Sequence, residues 1–212
     1  MNTGRRPGRR TREEAAQTRI RILDAAEERF GAAGYAAVSV REIAEAAGVQ
    51  PYTVQHHFDS KALLYYAVMN RWNEVVQDVI RDAMKGITSF PEMVEAAIDT
   101  TFDFFVEHRS WVRMAARVAI GERLPEGIEI KENRWARFTE AEYPLAGASG
   151  VDLRMVLITV EGVLNVHTLA SKHYKQLYGK TLDDPELRAQ VKAHVKAVVA
   201  GIVNNAALPP ST

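Results

Sequence analysis

The 212-residue chain contains no cysteine. That excludes disulfides, thiolate metal sites and thiol redox sensing, and it fits a cytoplasmic location. No apolar run reaches the roughly eighteen residues that would mark a membrane span. The basic start is followed by a polar run from Arg12 to Gln17 instead of an apolar segment, so it is not expected to be a signal peptide. Net charge is also missing: 27 basic and 27 acidic residues sum to +0. The chain has no glycine-rich phosphate loop, nucleophile elbow or metal motif, which argues against an enzyme and against a cofactor. The adjacent His56 and His57 point to different sides of a helix, and His167 and His173 lie six apart, so neither pair suits a helical metal site. Asp103 and Glu107 share a face beside His108, which reads as a solvated acidic edge.

What the chain does have is a dense set of helix signals over residues 38–61, VSVREIAEAAGVQPYTVQHHFDSK. Ser39 and Glu42 have capping-box spacing, and Val38 and Ile43 are placed to staple the same helix start. Gly48 can take the left-handed conformation that ends the helix, with Val49 folding back on Ala44. Pro51 then suits the first turn of a second short helix ending at Phe58, and Asp59 and Ser60 offer caps for a third. Two short helices around a glycine turn form a helix-turn-helix, whose second helix is free to enter a major groove. Its outer face carries Gln50, Tyr52, Gln55, His56 and His57, all capable of bonding phosphates or base edges. Val49, Val54 and Phe58 are expected to pack inward.

The pattern I-A-x-x-A-G-V followed by T-V-x-x-H-F-x-S-K-x-x-L, residues 43–64, resembles the DNA-binding segment of the TetR family of bacterial transcriptional regulators. The family usually has tyrosine where this chain has Gln55, which replaces a frequent phosphate contact by a shorter amide. The resemblance implies double-stranded DNA as partner, a palindromic operator and a homodimer. It points to Ser39, Arg41, Gln50, Pro51, Tyr52, Gln55, His56, His57 and Lys61 as the DNA-binding set. Arg41 and Gln55 are expected at base edges and Lys61 at a phosphate.

Around this segment the chain reads as helical throughout. Residues 1–11, with Arg5, Arg6, Arg9 and Arg10, form a disordered basic arm that can follow phosphates or enter a minor groove. Residues 12–33 form a first helix with the stripe Ile20, Leu23, Ala26 and Phe30, ended by Gly31 and Gly34. A long helix follows over 61–85, then helices over 90–108, 111–122 and 128–143. The last two are 151–178 and one from Pro185 to about residue 205, capped by Asp183 or Asp184. Their apolar surface exceeds what one subunit covers, which suggests a dimer interface. The middle helices supply candidate ligand-binding residues: Phe102, Phe105, Trp111, Met114, Trp135 and Phe138, with Arg117, Asn165 and His167 as polar groups. Each aromatic taken alone reads as core; a cavity among them is what the family resemblance adds.

The fold expected is therefore all-α. A three-helix helix-turn-helix domain over 12–60 is joined by a linking helix, 61–86, to a larger ligand-binding and dimerisation domain over 87–212. The function expected is a sequence-specific DNA-binding regulator, a repressor released by a small, largely apolar ligand. The alternatives are a ligand-independent architectural factor and a purely structural helical dimer.

Overall fold

The computed structural model describes residues 12–123, 125 and 153–206, with side chains from 155 to 203 in the second stretch. Nine helices lie among the described residues. The first three are α1 (Arg12–Ala33), α2 (Val40–Ala46) and α3 (Pro51–Phe58). They are followed by α4 (Lys61–Met84), α5 (Phe90–Glu107) and α6 (Arg109–Ala119). The last three are α7 (Leu153–Leu169), α8 (Ser171–Tyr178) and α9 (Pro185–Ala206). The basic arm and the helix expected over 128–143, with Trp135 and Phe138, lie outside the described residues.

Two apolar cores organise these helices. The first joins Ile22, Ala26 and Phe30 of α1 to Ile43, Val54, Phe58, Leu64, Val68 and Met114. The second joins Val76 and Ile80 to the aromatic face of α5, Val156, Leu164 and the valine stripe of α9. Helix α4 serves both, its first half in one core and its second half in the other. At 1.5 Å per residue its 24 residues reach across both layers.

The inward stripe of α1 differs from the expected one in a single member. Ile20 is 49% exposed, and Ile22 faces the core with Leu23, Ala26 and Phe30. Isoleucines two apart in a helix face nearly opposite ways, and only Ile22 keeps the four-residue spacing to Ala26 and Phe30. Gly31 also plays a different part from helix terminator. It sits inside α1 where α6 crosses, and a Cβ there would lie 2.5 Å from the Ser110 carbonyl oxygen. Gly34, at φ +82°, is the residue that turns the chain out of the helix.

The single long helix expected over 151–178 is broken at Ala170, where ψ is 24°. Seven residues of unbroken helix would separate His167 and Tyr174 by about 10 Å along the axis. With the break, His167 Nδ1 and the Tyr174 hydroxyl are 2.5 Å apart. Helix α9 starts as expected, with Asp184 Oδ1 accepting from the Leu187 N–H at 3.0 Å. Along its side Lys192 reaches Asp103, Lys196 reaches Asp99, and Arg188 donates to both the Asp103 carboxylate and its backbone carbonyl. The acidic edge read on α5 is thus an ion-pair seam to α9.

Replacing Gly31 by alanine forces α1 and α6 apart and should cost about 1–3 kcal/mol of unfolding free energy. Gly48→Ala strains a backbone at φ +65° with open space around it, costing about 1–2 kcal/mol. Urea denaturation of both variants checks the pair. A Gly31→Ala protein as stable as the parent contradicts the close crossing.

A candidate DNA-binding face

The exposed face of α3 is shaped by the residues that fix its two ends and its underside. Ser39 Oγ accepts from the Glu42 N–H at 3.2 Å, and Glu42 Oε2 accepts from the Ser39 N–H at 2.7 Å, closing the capping box of α2. Gly48, at φ +65°, lets the Val49 N–H return to the Ala44 carbonyl at 2.9 Å. This six-to-one bond closes α2 and aims the chain into α3. Pro51 occupies the first turn of α3, and the N-cap Gln50 uses its backbone carbonyl alone, accepting from Thr53 N–H at 2.9 Å. Ser60 caps α4 by accepting from the Leu63 N–H at 3.1 Å. Between α3 and α4, Asp59 is the non-glycine residue with positive φ, at 52°. The turn is therefore held by caps on both sides of a strained residue.

With the ends fixed, Thr53, Val54 and Phe58 are buried and anchor the inner side of α3. Val54 and Phe58 go in as expected, Val49 is half-buried, and Thr53 is an anchor the sequence reading did not name. Gln50, Pro51, Tyr52, Gln55 and His56 are exposed together, and Tyr52 is 71% accessible. Arg41 is exposed on neighbouring α2, and His57 is half-buried with its ring 5.7 Å from that of His56. Arg19 of α1 lies over the Phe58 ring at 4.9 Å and adds a cation beside the face. Ser39 is exposed, but its hydroxyl belongs to the cap.

Lys61 stands at the start of α4 with its ammonium 4.2 Å above the Tyr35 ring. Partial burial draws its pKa down, and the nearby Glu42 carboxylate opposes that. Hydrogen bonds from the Ser39 hydroxyl and backbone, in that order, hold the Glu42 carboxyl below its ordinary value of 4.5. A carboxyl lowered on folding stabilises the fold above its unfolded pKa, and that support is lost as pH falls through the folded value.

The expected ligand residues scatter. One narrow apolar cavity of about 60 Å³ lies between α4, α5 and α7, walled by Ile80, Met93, Phe105, Val160 and Leu164 with Thr101 and Glu161 among them. Phe105 reaches it. Phe102 is buried in the core outside the cavity wall, and Trp111 donates its indole N–H to the Met69 carbonyl at 3.1 Å. Met114 belongs to the first core, beneath α1 and α4, because α6 turns that face toward the helix-turn-helix. Arg117 donates to the Ala32 carbonyl at 3.3 Å, at the end of α1. His167 pairs with Tyr174, and half-buried Asn165 stands away from the wall. Thr101 and Glu161 were missed. In the sequence they are single polar residues on apolar helices, and only the packing places them on one wall.

Among the described residues no group of three or more acidic or histidine side chains could hold a metal ion, and no helix is long and apolar enough to cross a membrane. A capped three-helix head, an exposed polar helix and a helical body joined to it make a helix-turn-helix architecture. Residues 22–68 match the family model described as bacterial regulatory proteins, tetR family. The chain is similar to the HTH-type transcriptional regulator UidR of Escherichia coli (strain K12), with 32% identity over 127 residues. That match covers 60% of this chain and 63% of UidR. It is 38% identical over 94 residues to the HTH-type transcriptional activator FasR of Mycolicibacterium smegmatis, covering 44% of this chain and 42% of FasR. The chain thus spans less than two thirds of the length of these curated relatives. In fold it is similar to the fatty acid degradation regulator FadR from Bacillus halodurans, with TM-score 0.62 and 19% identity over 88% of this chain and 94% of that one. A tetR family transcription regulator from Shewanella sp. PV-4 gives TM-score 0.64 and 18% identity over 89% and 97%. Over residues 22–68 the chain carries the segment that the tetR family model describes, and the curated relatives it resembles are HTH-type transcriptional regulators.

Because the cap carboxylate is held low, Glu42→Gln should remove part of the acid sensitivity of the fold. Its stability should change less than the parent's between about pH 5 and about pH 3. Urea titrations across that range check this; parallel curves for the two proteins contradict a cap-derived contribution.

Proposed function

We propose that the protein is a homodimeric, sequence-specific transcriptional regulator, and specifically a repressor that leaves a palindromic operator when a slender, largely apolar ligand enters its body. The observation that carries this reading is the face of α3. Gln50, Tyr52, Gln55 and His56 are exposed side by side on a helix anchored from beneath and capped before and after. Arg41 and Gln55 read base edges. Tyr52, His56, His57 and Lys61 make phosphate or mixed contacts, and the arginines of residues 1–11 supply further positive charge.

Support for the dimer comes from the far side of the body. Met155, Ile158 and Val166 of α7 and Val198 and Ile202 of α9 are large apolar side chains left exposed in the monomer. A two-fold pairing of α7 and α9 covers them and sets two α3 helices on one DNA face. In the ligand-responsive reading, the cavity between α4, α5 and α7 is the site, and α4 carries its occupancy to the head because the same helix lines both. Release of 5–150-fold requires the ligand to prefer the DNA-free arrangement by about 1–3 kcal/mol. The proposed division of labour is head over 12–60, linking helix 61–86 and body 87–212, working in the cytoplasm.

Fluorescence anisotropy on DNA from the protein's own promoter region tests the assignment residue by residue. Lys61→Ala should weaken all sequences alike and flatten the salt slope by about one unit, whereas Gln55→Ala should relax preference at one base position. Affinity that ignores sequence competitor in the parent protein would instead indicate an architectural factor. Filling the cavity with Ala97→Phe should leave DNA binding intact and abolish release by a ligand that acts on the parent; release that persists places the ligand elsewhere.

A further inference from the structure

We infer that the junction of α1, α6 and α9 holds a second ligand site, built for the carboxylate of a small organic acid. It is a polar cavity of about 410 Å³ lined by Glu27, Glu28, His108, Arg109, Arg113 and Arg188, with Asp183 and Glu107 at its margins. Its hydrogen bonding is unbalanced in one direction.

Every carboxylate there already has a donor. Glu27 accepts from the Trp72 indole N–H at 2.7 Å, and Glu28 accepts from the Ser110 hydroxyl at 2.9 Å. Asp183 pairs with Arg109 Nη1 at 2.9 Å, and Glu107 accepts from Arg188 Nη2 at 3.4 Å. The deficit is among the cations. Arg109 Nε and Nη2 and Arg113 Nε are shielded from solvent and have no hydrogen-bond acceptor. Arg113 Nη2 is engaged, donating to the Ser110 hydroxyl at 2.7 Å, and Arg188 is occupied by Asp103. Buried charged donors without acceptors are unfavourable, and such sites are filled by water or by an anion.

The geometry selects the anion. Nε and one Nη of a guanidinium form a parallel pair of N–H groups, the edge that grips two oxygens of a carboxylate at once. In Arg109 that edge is the vacant one, because Asp183 takes the opposite nitrogen. The carboxylates on the surrounding walls disfavour a second negative charge, so a monocarboxylate fits better than the phosphate dianion. Glu27 and Glu28 belong to α1 of the head, while Arg109 and Arg113 lie in the first turns of α6, one residue before and three residues after Ser110 of the Gly31–Ser110 crossing. A carboxylate bound there therefore sits at the joint between head and body.

The test uses the full-length protein without DNA, titrated with acetate and with benzoate at ionic strength held constant by chloride, and with inorganic phosphate in parallel. Tryptophan fluorescence, sensitive to Trp72 beside Glu27, and the thermal midpoint are the readouts. At about pH 8, where phosphate is mainly the dianion, acetate and benzoate should act saturably and phosphate should not. Arg109→Lys keeps the charge but removes the paired edge, and should weaken the carboxylates about tenfold to a hundredfold. Should that variant fail to fold, Arg113→Gln provides the same comparison with a smaller loss. Absence of saturation by either carboxylate, or equal affinity in parent and variant, overturns the site. Benzoate binding that is abolished by Ala97→Phe instead assigns that ligand to the apolar cavity and also overturns it.

Discussion

Helix α1 has to satisfy two neighbours at once, and the rest of the structure depends on how closely it meets the second. One side of it covers α2 and α3 through Ile22, Ala26 and Phe30. The other side meets α6, where Gly31 lets the Ser110 backbone approach to a distance no side chain would permit. Polar contacts extend the same joint: Arg71 reaches Asp24, Trp72 donates to Glu27, and the His108 ring lies 3.9 Å from that of Trp72. Burial raises the Glu27 pKa against the lowering effects of Trp72 and Arg71, as expected for a carboxylate inside a joint. The head is therefore held by α1, α4 and α6 together.

This arrangement explains why the helix-turn-helix can be so short. Eight residues of α3 cannot persist as an isolated helix, because nucleation is costly and few hydrogen bonds follow. Here the helix receives its start from Pro51, its underside from Thr53, Val54 and Phe58, and its exit from the Ser60 cap. The price is strain at Asp59, accepted where α3 must turn sharply into α4. What remains on the outside is polar and exposed.

How far this was legible in the sequence follows from the range of the interactions. The capping box at Ser39 and Glu42, the Gly48 turn, Pro51 and the Asp184 cap are decided within six residues, and each stands where the spacing puts it. Gly31 was legible as a glycine near a helix end but not as a crossing point, since Ser110 is far away in the chain. Met114 shows the same limit. Its helical spacing says that it is buried but not in which core, and α6 turns it toward the head. The break at Ala170 carries no glycine or proline, so nothing local announces it. Thr101 and Glu161 on the cavity wall, and the vacant edge of Arg109, are products of packing between distant helices.

Whether α3 is a DNA-reading helix presented in pairs is tested most directly by a hydroxyl-radical footprint of the full-length protein on DNA from its own upstream region. Paired α3 helices should protect two half-sites on one face of the duplex, about 34–36 Å or a multiple of one helical turn apart, related by a two-fold axis. Uniform protection without register, or no protection at low salt, would contradict that reading.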